Sequence, residues 1–267
     1  MLLINADLIS QSQCSKGYYL LEFYAPQLAK LTQPGQFVHV KCSDSTDPLL
    51  RRPISIHRVN REKGTVSLLY RVVGKGTLLL SQLQAGQRLS VMGPLGKGFK
   101  LPEKGRRVAV VAGGIGIAPL YLLIKELLDL GFEPEVFIGA RNADHLPVVE
   151  DIRAMGLEVK VATDDGDLGH RGPITQLLNR TIENKGQGCF DIIYTCGPVP
   201  MMKAVAKIAE QNGIVAQVSL EEKMGCGVGA CLACTCKVKI AGDRAVTLKR
   251  VCADGPVFDA GEVVWDD

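Results

Sequence analysis

The 267-residue sequence predicts a multidomain fold with three parts in series. An antiparallel β-barrel is expected over residues 1–100, an α/β domain with a largely parallel sheet over 101–220, and a small metal-binding domain over 221–267. Three observations carry this. The first hundred residues hold short apolar runs cut by Gly, Pro and polar turns. The next 120 alternate apolar strand patterns with helical ones. The last stretch is dense in Gly and Cys and has no helical periodicity.

Within the first part, an opening Met-Leu-Leu-Ile reads as the start of a strand. Tyr18–Phe23, Gln36–Val40 and Val66–Tyr70 follow as strands rich in aromatic and β-branched residues. Gly93-Pro94-Leu95-Gly96-Lys97-Gly98 suits neither strand nor helix and is expected to leave the domain. In the second part, Arg107–Val111 is a nearly continuous apolar run, as for a strand covered on both faces. A glycine turn and a helix over Leu120–Leu130 come next. Further strands are expected at Glu135–Ile138, Glu158–Ala162 and Asp191–Thr195, with a last one at Gln217–Leu220. The third part is too small to bury a large core, so a metal centre would supply its stability.

Composition narrows the function classes. With 31 Lys+Arg against 28 Asp+Glu the formal charge is +3, too small to indicate nucleic acid. No apolar stretch reaches the length of a membrane span. The start lacks a basic segment and carries Asp7 where a signal peptide is apolar, so a cytoplasmic protein is expected. The nine cysteines are an odd number and do not resemble a secreted disulfide scaffold. Cys14, Cys42 and Cys189 are expected to be small buried apolar residues. The four histidines, His39, His57, His145 and His170, show no ligand spacing and are expected in ordinary core or surface roles.

Cys226-Gly-Val-Gly-Ala-Cys231-Leu-Ala-Cys234 is the strongest chemical signal. Its four and then two intervening residues match the plant-type iron–sulfur pattern, whose fourth ligand lies farther on. Cys252 is the candidate for that role. Soft thiolates suit iron and sulfide, and glycines let a tight loop wrap a compact core. Gly225, Gly227 and Gly229 also expose N–H groups to sulfur. Four thiolates equally suit tetrahedral zinc, although its usual pattern is two close pairs. Cys236 lies two residues past Cys234 and, in extended chain, on its side, so it stands as an alternative ligand.

Ala112-Gly113-Gly114-Ile115-Gly116-Ile117-Ala118-Pro119 follows a strand and precedes a helix. Bare N–H groups at such a turn can hold a pyrophosphate. It lacks the third glycine of the dinucleotide fingerprint and the Gly-Lys-Ser/Thr of a P-loop; alone it is as readily a plain βα turn. Thr195-Cys196-Gly197-Pro198 ends a later strand, and loops at the carboxyl ends of parallel strands share one crevice. In the barrel, Arg51-Arg52-Pro53-Ile54-Ser55 offers a guanidinium for phosphate and a hydroxyl for a planar cofactor. Gly74-Lys75-Gly76-Thr77 offers backbone N–H groups to a second phosphate edge.

Together these motifs resemble the ferredoxin–NAD(P) reductase superfamily. The ending, Leu220-Glu-Glu-Lys-Met-Gly-Cys226 through Cys234 with Val251-Cys252-Ala-Asp-Gly-Pro-Val-Phe258, resembles the electron-transfer subunits of type B dihydroorotate dehydrogenases, over essentially the whole chain. The resemblance implies a flavin domain, a nicotinamide domain and a [2Fe–2S] domain. It implies FAD bound around Arg52, Pro53, Ile54 and Ser55, around Tyr70, Arg71 and Val72, and at Gly76 and Thr77. Arg52 would hold the pyrophosphate and Ser55 would sit near flavin N5. Gly113, Gly114, Gly116 and Pro119, with Cys196, Gly197 and Pro198, would position NAD as a diffusible substrate. Cys226, Cys231, Cys234 and Cys252 would hold the [2Fe–2S] cluster. The familiar motif has an aromatic residue near its final Ser/Thr; here Ile54 stands beside Ser55, so the aromatic cover must come from elsewhere or be absent.

A nicotinamide gives two electrons as hydride and a cluster takes one at a time, so a flavin must stand between them. The resemblance implies a partner, an FMN-containing dihydroorotate dehydrogenase catalytic subunit, in a heterotetramer with two of each chain. Electrons from dihydroorotate would reach NAD+ through the cluster and FAD, in pyrimidine biosynthesis. No catalytic residue for orotate chemistry is expected in this chain. The alternatives are the FAD-bearing subunit of an NAD(P)H–ferredoxin or sulfide-linked reductase, and a non-catalytic redox-sensing module. NADH is expected over NADPH, with Arg141 making a surface or adenine-side contact rather than meeting a 2′-phosphate. Glu221 and Glu222 are assigned no role.

Overall fold

The computed structural model describes residues 1–240 and 245–265. Six strands close into an antiparallel barrel: β1 (Leu2–Ser15), β2 (Tyr18–Tyr24), β3 (Phe37–Val40), β4 (Arg52–Asn60), β5 (Thr65–Arg71) and β6 (Arg88–Leu95), in the order β1-β2-β5-β4-β3-β6. Closure leaves no free edge. Alternation sends Leu21, Phe23, Val38, Val40, Ile56 and Leu68 inward, each 1% exposed or less. Burying each such side chain stabilises the fold by about 1.5–3 kcal/mol. Two short helices, α1 (Pro26–Leu31) and α2 (Lys75–Ser81), join strands. β6 continues through Gly93, Pro94 and Leu95, so the first half of the segment expected to leave the domain is strand. Gly93 faces Leu2 in register, and a Cβ there would stand 2.7 Å from Val38 Cγ1, so this strand position needs glycine.

The second sheet has the order β10-β9-β8-β7-β11-β12-β15. Its parallel strands are β7 (Val108–Gly113), β8 (Glu135–Ala140), β9 (Val159–Thr163), β10 (His170–Arg171), β11 (Ile192–Cys196) and β12 (Val215–Ser219). Helices α3 (Ile117–Asp129), α4 (Val149–Arg153), α5 (Ile174–Lys185) and α6 (Val199–Gln211) connect them. Chain order reverses between β7 and β11, which pair Ala112 with Cys196. That reversal makes a crevice at the carboxyl ends of the strands, where ligands of such sheets bind.

The last segment is bound into this sheet. β15 (Val257–Asp259) adds antiparallel to β12, with Val218 facing Phe258. β13 (Thr235–Lys239) and β14 (Val246–Arg250) form a separate antiparallel pair. Neither feature was visible to periodicity, because three residues after Gly-Pro carry no readable period. Among the described residues no helix is long and apolar enough to cross a membrane.

Barrel and sheet meet through β4 and α3. His57 is fully buried and its Nδ1 lies 3.1 Å from the Ala118 carbonyl. Its ring tilts over Tyr121 at 4.4 Å, and the Arg58 guanidinium sits 4.4 Å above that same ring while pairing with Asp151. These contacts fix the start of α3 against the barrel wall. Of the cysteines expected to be buried, Cys42 is, Cys189 is half-buried, and Cys14 is exposed. Cys14 lies near the end of β1, whose last residues present few buried side chains.

Candidate cofactor and metal sites

A cleft of about 240 Å³ opens between β4, β5 and the turn before α3. Pro53, Ile54, Ser55, Tyr70, Arg71 and Thr77 line it. Ile54 offers no aromatic cover, but Phe37 faces Ser55 across the β3–β4 ladder and lines the same cleft. The aromatic surface therefore comes from a neighbouring strand and from Tyr70. Val72 turns away, packs beside the barrel core and donates its N–H to Gly17 O, while Val73 lines the cleft. Thr77 Oγ1 accepts the Val73 N–H at 3.0 Å and so braces that loop. Arg52 and Gly76 are absent from the lining but touch each other: a Cβ on Gly76 would stand 2.7 Å from Arg52 Nε.

A second cavity, about 420 Å³, fills the crevice at the strand reversal. Gly113, Gly114, Gly116, Gly197 and Pro198 line it, as does Arg141. Pro119 and Cys196 are buried behind it. Sequence reasoning missed Tyr18, His145 and Asp164 on its wall. The His145 ring meets Tyr18 edge-on at 5.9 Å, a contact between segments more than a hundred residues apart.

Arg71, Ile115 and Glu221 line both cavities, so the two open onto one junction. Glu221 keeps an exposed surface, yet the protein crowds its carboxyl, and burial raises its pKa. It in turn raises the buried Cys196 thiol, after burial itself. Between the ordinary carboxylate value and the raised one, the folded chain holds a proton that the unfolded chain has lost. Stability therefore falls as pH climbs through that window. Glu221→Gln should flatten the slope of Tm against pH just above the ordinary carboxylate range, read by calorimetry. An unchanged slope would place the carboxyl in water.

The cysteine loop gathers four sulfurs, with Cys252 influenced by both Cys234 and Cys226. Cys226 and Cys231 interact through their side chains, as do Cys234 and Cys252. Cys226 Sγ accepts N–H groups from Val228 at 3.4 Å, Ala230 at 3.3 Å and Cys231 at 3.4 Å. Burial pushes this thiol up, but those donors outweigh it and leave its pKa at about 6. Gly229 donates to Cys252 Sγ at 3.1 Å. Left-handed backbone at Gly227 (φ +71) and Gly229 (φ +82) turns these N–H groups inward. Arg250 holds the loop from behind, donating to Gly229 O and forking onto Asp254. Cys236 lies on β13, half-buried against the same apolar cluster that contains Cys234 and Cys252. Burial, then Glu222, pushes its thiol up to about 11.

Three family models match this chain. Residues 221–264 match the iron–sulfur cluster binding domain of dihydroorotate dehydrogenase B, 110–207 the oxidoreductase NAD-binding domain, and 5–99 the oxidoreductase FAD-binding domain. The dihydroorotate dehydrogenase B (NAD(+)) electron transfer subunit of Desulforamulus reducens is 46% identical over 262 residues, covering 98% of each chain. That of Geobacillus thermodenitrificans is 43% identical over 258 residues, 96% of each. The chain belongs to the family of dihydroorotate dehydrogenase B electron transfer subunits. A solved NADH-dependent reduced ferredoxin–NADP oxidoreductase, described for flavin-based electron bifurcation, matches with a TM-score of 0.85. It is 30% identical, over 98% of this chain and 91% of that one. A ferredoxin reductase of carbazole 1,9a-dioxygenase shares the fold, with a TM-score of 0.67 at 21% identity over 80% of this chain and 66% of that one.

As a member of this family the chain carries FAD-, NAD- and iron–sulfur-binding domains. Its residues fit those groups. The first cleft has a flat apolar wall with a hydroxyl and a guanidinium at its rim, as a planar isoalloxazine requires. The second has glycines where a pyrophosphate must approach backbone. In the cysteine loop, one sulfur receives three N–H donors and four thiols are gathered. No three His, Cys, Asp or Glu among the described residues converge on a single ion position. Four thiols gathered in one loop suit a two-iron core held by cysteine thiolates.

Proposed function

We propose that this chain carries electrons from a dihydroorotate-reduced, FMN-containing catalytic subunit through its [2Fe–2S] centre and FAD to NAD+, in pyrimidine biosynthesis. The observation that carries the reading is the shared junction. Residues of both large domains line the flavin cleft, and so do Met224 and Pro256. Met224 lies two residues before Cys226, and Pro256 four after Cys252. The cysteine loop thus closes one side of the cleft that the nucleotide cavity enters from the other. FAD supplies the exchange between hydride and single electrons.

The chain's own residues do the positioning. Arg52 would hold the pyrophosphate, and Ser55, which lines the cleft, would offer its hydroxyl to the flavin. Gly113, Gly114, Gly116, Gly197 and Pro198 would seat the nucleotide, with its nicotinamide toward Arg71 and Glu221. Cys226 and Cys231 would bind one iron, Cys234 and Cys252 the other. Exposed Cys231, Val228 and Leu232 would face the catalytic subunit. We place the assembly in the cytoplasm as two of each chain.

Anaerobic titration of the purified protein with NADH should bleach the flavin band first and then produce the electron paramagnetic resonance signal of a reduced [2Fe–2S] centre. The co-purifying polypeptide should carry FMN and oxidise dihydroorotate. Zinc in place of iron, or a ferredoxin- or sulfide-linked partner, would overturn the reading.

A further inference from the structure

His39 is 1% exposed and takes no part in the roles above. It lies on β3 opposite Pro53, beside the strand that lines the flavin cleft, but does not line that cleft itself. Phe37 and His39 share the outer side of β3, their rings 6.1 Å apart, while Val38 and Val40 fill the barrel. On that outer side the imidazole lies against the cysteine loop, its Cε1 and Nδ1 nearest to Gly227. A Cβ on Gly227 would stand 2.8 Å from both Cε1 and Nδ1 of the ring. Gly227 is the residue after Cys226.

The ring's Nε2 is buried with no hydrogen-bond partner. Leaving such an atom unpaired costs about 1–3 kcal/mol, and native folds rarely accept that without a reason. The other buried unpartnered side-chain atoms among the described residues belong to His57, Arg58 and Thr195. His57 and Arg58 stand at the barrel–α3 contact and Thr195 within β11. Burial, and then Arg51 and Arg52, hold His39 neutral down to about pH 4. A neutral imidazole has one N–H, and the Nε2–H tautomer puts it on the atom that meets no protein acceptor.

We propose that His39 is a positioning residue for the iron–sulfur centre: its ring seats the loop at Gly227, and its Nε2–H donates to sulfur of the centre held by Cys226, Cys231, Cys234 and Cys252. This rests on the iron–sulfur reading of that loop. A donor to sulfur favours the reduced, more negative centre, as hydrogen bonds to cluster sulfur do generally. It joins the backbone N–H groups from the opposite side, so the barrel wall and the cysteine loop would set the potential together.

Two measurements test it on the complete, flavin- and cluster-loaded protein. Selective ¹⁵N labelling of histidine should give a weak ¹⁵N hyperfine coupling in the pulsed resonance of the reduced centre, and His39→Gln should remove it. In a potentiometric titration, His39→Leu should keep the iron content. Its reduced-to-oxidised ratio at fixed potential should fall roughly tenfold, which for one electron is about 59 mV. His39→Gln, which retains an N–H donor, should recover part of that shift. An absent coupling, an unmoved midpoint in His39→Leu, or equal shifts in both variants would sink the proposal. Protein without iron would instead mean that the reading of the loop is wrong.

Discussion

Cys252→Ala is expected to cost the protein its iron–sulfur centre while leaving FAD bound and reducible by NADH. Cys252 is 3% exposed, its sulfur pairs with that of Cys234, and it accepts the Gly229 N–H. Removing it leaves Cys234 without its partner on one iron and frees an N–H in a dry site. Mutating a residue that only supports a ligand costs about 10–100-fold in metal affinity; loss of a ligand should exceed that. Iron per flavin should fall below a tenth of the wild-type value, and one-electron transfer to the catalytic subunit by about 100-fold or more. The flavin cleft depends chiefly on β4, β5 and the turn before α3, so hydride transfer from NADH should persist. Cys236→Ala is the control: Cys236 lies half-buried on β13, and the centre should survive its loss. A cluster that remains in Cys252→Ala and disappears in Cys236→Ala would reverse the ligand assignment.

The contrast between these two cysteines shows where sequence spacing stops being informative. Spacing alone leaves both as fourth ligands, because residues two apart in extended chain share a side. What favours Cys252 is β14, which returns antiparallel to β13 and delivers Val251 N–H to Cys234 O at 2.8 Å. Cys252 is thereby brought to Cys234, where its sulfur accepts the Gly229 N–H. The barrel strands were legible for the opposite reason. Their alternation is local, and each strand's own residues declare which face is buried. Likewise, the Gly113–Gly116 turn is visible because a strand pattern, a glycine run and a helix pattern stand in immediate succession.

What could not be read depends on register between distant segments. Ile54 leaves the flavin wall without its usual aromatic neighbour, and nothing near it in sequence names Phe37 as the replacement. Phe37 qualifies only because β3 pairs with β4 so that it faces Ser55. Val72 and Val73 differ by one residue, and just past the end of β5 one packs beside the barrel while the other lines the cleft. His39 carries no ligand spacing and reads as a core histidine until β3 brings it under Gly227. Glu221 lies in a polar pair after a strand, with no signal that two cavities meet there.

Gly116→Ala is expected to impair NADH binding and to destabilise the nucleotide domain, through backbone crowding rather than loss of a contact. The turn before α3 and the end of β11 approach so closely that a Cβ on Gly116 would stand 2.5 Å from the Cys196 carbonyl carbon and 2.7 Å from Gly197 N. Neither neighbour is a flexible side chain. Cys196 is pinned in register between Ala112 and Ser219, so the strand cannot retreat without breaking its ladder. The turn must give instead, and it carries Gly113, Gly114 and Ile115 with it. Overpacking of this kind costs about 1–3 kcal/mol in stability. A displaced turn moves every N–H group offered to the nucleotide, so NADH affinity should fall about tenfold, the equivalent of about 1.4 kcal/mol. Ile115 also lines the flavin cleft, so the hydride-transfer rate should drop at saturating NADH as well. Dithionite, which needs no nucleotide site, should reduce the flavin normally. Stopped-flow bleaching of the flavin band against NADH concentration separates the two effects. Wild-type rates and affinity in Gly116→Ala would mean that the turn does not seat the nucleotide.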